Sequence, residues 1–272
     1  MSDYFPWLLW AVPTFAVIVP VVAAAYYLGL PILIRSSWRM AAHPDFKVLD
    51  LKAIEPAVAR FLAGHATTLL ELGFDEPTHL RLPNAAPNVT GYLIVLVDRQ
   101  SGDKAMVTVL IGDAMPRLET WYVEFSTRYD TGEVFDTLNG SELNPFPPGP
   151  QAVRTQVPGV RDVEDLLDLH RFVQAKHAPA GRAWVFEPGT VVEYLAEYAW
   201  VKPFGREVAR GTLYLDAPAD AYRMTVPGAY RVVGGLMQPF KALREMAMRR
   251  EERRVLDEFG SARRASEGRE GR

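Results

Sequence analysis

The sequence contains no cysteine. That absence excludes a disulfide scaffold, a thiolate zinc site, an iron-sulfur cluster, a thiol nucleophile and thioether attachment of c-type haem, because each requires the sulfur. An excess of charge of one sign is missing as well. Thirty Lys and Arg face 33 Asp and Glu for a formal net charge of -3, which leaves no bulk electrostatic footprint for nucleic acid. No Gly-Lys-Ser/Thr phosphate loop, dinucleotide fingerprint, nucleophile elbow or His-Glu-x-x-His pattern occurs. The five histidines, at 43, 65, 79, 170 and 177, all lie outside the longest apolar run, so that run carries no axial ligand for haem or chlorophyll. Neither a cofactor nor a metal is expected.

What is present is a stretch from Phe5 to Ile34 without a charged residue, in which Thr14 is the clearest polar side chain besides the tyrosines. A bilayer-spanning helix needs about 20 apolar residues to cross roughly 30 Å of hydrocarbon, so residues 1–36 are predicted to be a single transmembrane anchor. Pro13, Pro20 and Pro31 should kink it, with the freed backbone groups re-satisfied by neighbours. Aromatic residues bracket the span as interfacial belts: Trp7 and Trp10 at one end, Tyr26, Tyr27 and Trp38 at the other. Arg35 and Arg39 follow it directly, whereas Asp3 is the single charged side chain before Trp7. By the positive-inside rule this predicts the inner (cytoplasmic) membrane of a bacterium, N-terminus outside and the rest of the chain in the cytoplasm. The competing reading is a cleavable signal peptide ending at Ala23-Ala24-Ala25, against which the absence of a basic leading flank counts.

Residues 45–218 are expected to form a soluble α+β domain. Residues 55–73 carry a helical pattern, with Pro56 in the first turn, Val58, Phe61, Leu62, Leu69 and Leu72 on one face, and Gly73 as the stop. Four β-rich runs follow, Gly91 to Val97, Ala105 to Ile111, Thr120 to Arg128 and Glu133 to Leu138. Glycine in Arg99–Lys104 and Asp130–Gly132 marks hairpin turns with positive φ, so an antiparallel meander with the first helix on one face is predicted. Asn144-Pro-Phe-Pro-Pro-Gly-Pro150 is a rigid connector or, alternatively, a polyproline ligand. Asp162 to His177 and a segment from Pro188 to near Gly205 are further helices, and Gly211 to Leu215 a short strand.

Residues 219–260 are expected to be an amphipathic, basic helical segment and 261–272 a disordered tail. From Lys241 to Arg272 there are ten basic and seven acidic residues, the basic part of an otherwise acidic chain. Phe240 and Leu243 recur at helical spacing beside Arg244, Arg249 and Arg250, which predicts an interfacial helix that meets membrane lipid or another subunit. The alternative is a solvated helix laced by its own salt bridges. Candidates for chemistry are sparse. His170 and His177 stand two helical turns apart, too far to share a metal, and Glu193 and Glu197 share a helix face at a spacing common on solvated helices. His170, Arg171, Glu193 and Tyr194 are the residues from which a scattered site would have to be assembled.

Leu72-Gly-Phe74, Val123 to Glu133, Thr137-Leu-Asn139 and Leu166 to His170 give the chain a resemblance to uncharacterised bacterial proteins with one N-terminal membrane span and an α+β cytosolic domain. That resemblance implies architecture and no activity. In layout alone the chain is also similar to the H subunit of photosynthetic reaction centres. The expectation is therefore a non-catalytic accessory subunit that braces or connects a larger membrane complex, with lipids and other membrane subunits as partners. A membrane-tethered enzyme or ligand-binding domain is the alternative.

Overall fold

The computed structural model describes residues 16–86, 88–112, 118–185 and 188–270. The fold is α+β, built on a mixed seven-stranded sheet. An apolar helix, α1 (Ala16–Ser37), leads into two short strands, β1 (Met40–Ala41) and β2 (Lys47–Val48), and then α2 (Pro56–Glu71). The sheet continues with β3 (Thr78–Ala86), β4 (Val89–Val97), β5 (Lys104–Gly112), β6 (Leu118–Arg128), β7 (Val134–Leu138) and β8 (Ala152–Gln156). Helix α3 (Val163–His177) follows, and then α4 (Val191–Tyr194), which passes through a π-helical stretch, Leu195–Val201, into α5 (Lys202–Ala209). Strands β9 (Leu213–Asp216) and β10 (Ala221–Met224), α6 (Val226–Gly235) and the long α7 (Phe240–Glu270) complete the order.

The strands run β2-β3-β4-β5-β6-β7-β8 across the large sheet, antiparallel except for the last pair. The predicted four-strand meander is its centre, and the two predicted hairpin glycines do take positive φ, Gly102 at 77° and Gly132 at 92°. β8 lies parallel to β7 because the proline-rich segment 139–151 is long enough to return the chain to the same end of the sheet. A second sheet of three antiparallel strands, β1-β10-β9, joins the chain just after α1 to its C-terminal third.

The large sheet is covered on both faces, not on one. The continuous apolar run of β4 follows from this: Ile94 and Leu96 enter a core with α2 and α3, whereas Leu93, Val95 and Val97 enter a second core with α4, α5, α6 and the small sheet. In an extended strand successive side chains point to opposite faces, so a strand buried on both sides loses the polar alternation of a half-exposed one. The expected helical segment from residue 219 instead begins with β10, whose Tyr222 and Met224 are buried. Residues predicted as a disordered tail from 261 continue α7 to Glu270.

Candidate functional site

Two regions gather the candidate residues: the joint between α1 and the domain, and the polar ends of β4–β8.

The first half of α1 touches little of the domain, and Val17, Ile18, Val19, Val21 and Val22 are exposed. With a mean hydropathy of 2.3 the helix is long and apolar enough to cross a bilayer. A π-helical turn at Ala25–Gly29 absorbs the break in the hydrogen-bond ladder that Pro31 imposes. Beyond it α1 changes partners. Leu30 and Ile34 pack against the second core, Tyr230 Oη of α6 donates to the Leu28 carbonyl at 2.9 Å, and Arg35 Nε donates to the Met224 carbonyl at 3.1 Å. Tyr27 Oη donates to the Gln238 carbonyl, and an Arg39 guanidinium nitrogen to that of Ala219 at 3.1 Å. Trp38 meets Phe146 edge-on at 6.3 Å, Phe146 meets Phe204 at 5.8 Å, and Phe204 stacks on Tyr222 at 5.2 Å. An aromatic chain thus runs from the end of α1 into the second core. Helix α6 can lie here because Gly228 has no side chain: a Cβ would stand 1.9 Å from the Thr212 carbonyl oxygen. The Thr225 hydroxyl caps the helix by accepting from the Gly228 amide at 2.9 Å.

Of the residues expected at the membrane interface, Trp7 and Trp10 lie outside the described residues. Tyr26 and Tyr27 are exposed, whereas Arg35 and Trp38 are built into the joint. Of the expected interfacial helix, Phe240 and Leu243 are more than half exposed and Arg249 and Arg250 are exposed. Arg244 turns inward, donating to the Asn144 carbonyl at 2.7 Å.

The second region starts from two adjacent residues. Asp103 and Lys104 close the β4–β5 hairpin, are nearly fully buried, and point to opposite faces of the sheet. On the α3 side the Thr127 hydroxyl donates to Asp103 Oδ1 at 2.5 Å, and Gln174 Nε2 donates to the same oxygen at 3.1 Å. Arg171 bridges Asp103 and Asp98 at 3.3 and 3.2 Å. The fully buried His170 ring lies between Thr127 Oγ1, 2.9 Å from Nε2, and Thr137 Oγ1, 3.0 Å from Nδ1. Burial alone would raise the Asp103 carboxyl, but hydrogen bonding and charge from His170, then Thr127 and Gln174, outweigh it and hold the group well below the usual carboxylate range. Every polar group here is matched, and the network ties β5, β6 and β7 to α3.

On the opposite face Lys104 Nζ donates to Tyr194 Oη at 2.7 Å. Burial, then repulsion from Arg128, brings its ammonium down to about 7 against the attraction of Asp136 and Asp103. Burial pushes the Tyr194 phenol up to about 12. Tyr194 and Tyr198 stack at 5.0 Å beside Trp184, with the Arg128 guanidinium 4.1 Å and Lys202 Nζ 3.8 Å from the Tyr198 ring centre. Register places Lys104, Ser126, Asp136 and Arg154 in one row across β5–β8, with Tyr122, Glu124 and Arg128 on the same face of β6. Glu124 and Asp136 make no ion pair within 4.0 Å among the described residues, and the Nε atoms of Arg128 and Arg154 are buried without a partner. Burial, reinforced by Asp136 and opposed by Arg154, raises the Glu124 carboxyl to about 7.

The structure therefore brings His170 and Arg171 together with Asp103 and sets Tyr194 on the other side of the sheet. Glu193 is exposed, and the next turn, with Glu197, is π-helical, where Glu197 lies 3.4 Å from Lys202. Asp103, Thr127 and Thr137 were missed because nothing marks a buried polar residue in a strand until its partner helix is placed. The one available signal was polar residues breaking apolar runs at Asp98, Asp103 and Thr127. Among the described residues no group of three or more His, Asp or Glu is arranged to hold a metal ion. No family model, curated protein or solved structure matches this chain.

Proposed function

We propose that this chain is a membrane-anchored accessory subunit, with α1 crossing the cytoplasmic membrane from outside to inside and the α+β domain bracing a larger membrane assembly on the cytoplasmic side. The observation that carries the reading is the joint. Leu30, Ile34, Arg35 and Trp38 are fastened into the second core by packing and by main-chain hydrogen bonds, so span and domain form one mechanical unit. A brace must transmit position from bilayer to partner, which a packed joint allows and a flexible linker does not. Arg35 and Arg39 at the domain end of the helix support the orientation. One observation favours a ligand-binding domain instead, namely the half-buried row of Glu124, Asp136 and Arg154 with its unmatched groups.

The test is native electrophoresis of the source membrane solubilised in mild detergent. Migration with a large assembly is the expected result, and migration as a small species would favour the ligand-binding reading. Protease added to intact cells should leave the domain undigested; digestion from outside, or a mature chain whose first residue lies near Tyr26, refutes the topology.

A further inference from the structure

The position of the joint along α1 sets where a bilayer can end. About 20 residues at 1.5 Å each fill the hydrocarbon, and the domain is already attached at Tyr27 and Leu28, through Gln238 and Tyr230. From there to Ser37 one side of the helix is held by the domain, so the membrane surface is set near the level of Tyr26 and Tyr27, about two turns earlier than Arg35 marks it, and the span draws on the charge-free sequence before Ala16 as well. At that level the chain makes an elbow between α6 and α7. Its outer side chains are apolar: Leu236, Phe240, Leu243 and Met246 are exposed, Met246 by 62%, around a shallow groove lined by Tyr230, Gly234, Gly235, Phe240, Leu243 and Arg244.

Helix α7 is two-sided in succession. Leu243 and Met246 lie on the side of the helix opposite the one that later packs Val255 and Phe259 onto the domain. After Met246 the outward side carries Arg250 and Arg253, and the exposed Arg249 flanks it. From Phe240 to Met246 the exposed apolar side chains run over seven residues, about 9 Å along the helix axis. Arg249 and Arg250 form no ion pair among the described residues and are placed to meet negative headgroups beside the inserted side chains.

We infer that the α6–α7 elbow is a second membrane contact, in which Leu236, Phe240, Leu243 and Met246 enter the leaflet beside α1 while Arg249 and Arg250 engage anionic phospholipid headgroups. This rests on the reading of α1 as a span. Two contacts a few turns apart fix the tilt of the domain on the membrane, which a single helix cannot do.

The absence of cysteine makes the test direct. Val22→Cys, Leu243→Cys and Glu164→Cys are made singly in the full chain, labelled with a nitroxide and reconstituted into phosphatidylcholine vesicles with and without phosphatidylglycerol. Accessibility to oxygen is then compared with accessibility to a water-soluble nickel chelate. The expected ratio of oxygen to chelate is several-fold higher at 22 and at 243 than at 164, with 243 the shallower of the two. Removing phosphatidylglycerol, or adding Arg249→Gln and Arg250→Gln, should move the 243 label back toward water without moving the one at 22. A water-exposed label at 243 with a lipid-buried one at 22 overturns the elbow and leaves the span standing. A water-exposed label at 22 overturns both. Spin-spin broadening at 243, with both probes excluded, means a second copy covers the elbow. A 243 label indifferent to lipid charge removes the headgroup contact.

Discussion

Asp103 and Lys104 are neighbours in sequence and opposites in circumstance. Asp103 faces the α3 side of the sheet, where hydroxyl, amide, guanidinium and imidazole groups converge on it. Lys104 faces the other side, among cations and aromatic rings, beside acids that make no ion pair. Strand alternation alone separates them. The α3 face is a saturated structural network, while the other face holds both the unmatched charges and the joint to α1.

The comparison breaks first at Asp103. Asp103→Ala leaves Arg171, Gln174 and Thr127 without their shared acceptor inside the fold, and the expected loss is about 3–5 kcal/mol of unfolding free energy by chemical denaturation. Because the folded carboxyl titrates below its unfolded value, the stabilisation it provides is present above the unfolded pKa near 4 and is lost as pH falls below it. A loss under about 1 kcal/mol would mean that the network is peripheral.

On the opposite face, Gly228→Ala drives a methyl group into the Thr212 carbonyl. The expected cost is about 2–3 kcal/mol, with a shift of α6 that loosens the joint. A broader distance distribution between spin labels on α1 and α3 would report the loosening, and an unchanged distribution would detach the joint from α6.

Lys104 gives an effect of the same pH sense in a higher pH window. Its ammonium, near 10.5 when unfolded, falls to about 7 in the fold, so the unfolded chain binds more protons between those values and stability climbs as pH rises from 7 toward 10. Lys104→Met should flatten that climb in denaturation curves recorded across the range.

The histidines sharpen the contrast further. His170 is fully buried in the network, and removing its ring takes away the partner of the Thr137 hydroxyl and one partner of Thr127. His177 is exposed and hydrogen-bonds only the main chain of its own helix, at the Val173 carbonyl, so His177→Ala should change the melting free energy by less than about 0.5 kcal/mol.

Local pattern determined a good deal by itself. The apolar periodicity and end signals of α2 and α3, the glycines of the hairpins and the four central strands depend on residues close together in sequence, and the structure has them within a few residues of the predicted bounds; the charge-free stretch is likewise local, and its described part, from Ala16, is helical. Strand β3 escaped because Pro83 and a positive φ at Asn84 interrupt it as an irregularity between Leu82 and Ala86. β8 and β10 are short strands with no local turn to announce them.

Tertiary structure decided the rest. That the sheet is buried on both faces, that β10 pairs with a strand directly after α1, and that Asp103 meets His170 depend on contacts between residues 67 to more than 180 positions apart. A side chain carries no record of its distant partner. Tyr222 and Met224 have the composition of an interfacial helix and become a core strand because β1 and β9 supply their hydrogen bonds, whereas Phe240 and Leu243, of similar composition, remain outside because none of the described residues covers them. Hydrophobicity fixed in the sequence which residues must leave water; only the packing chose which of them found a place inside this chain.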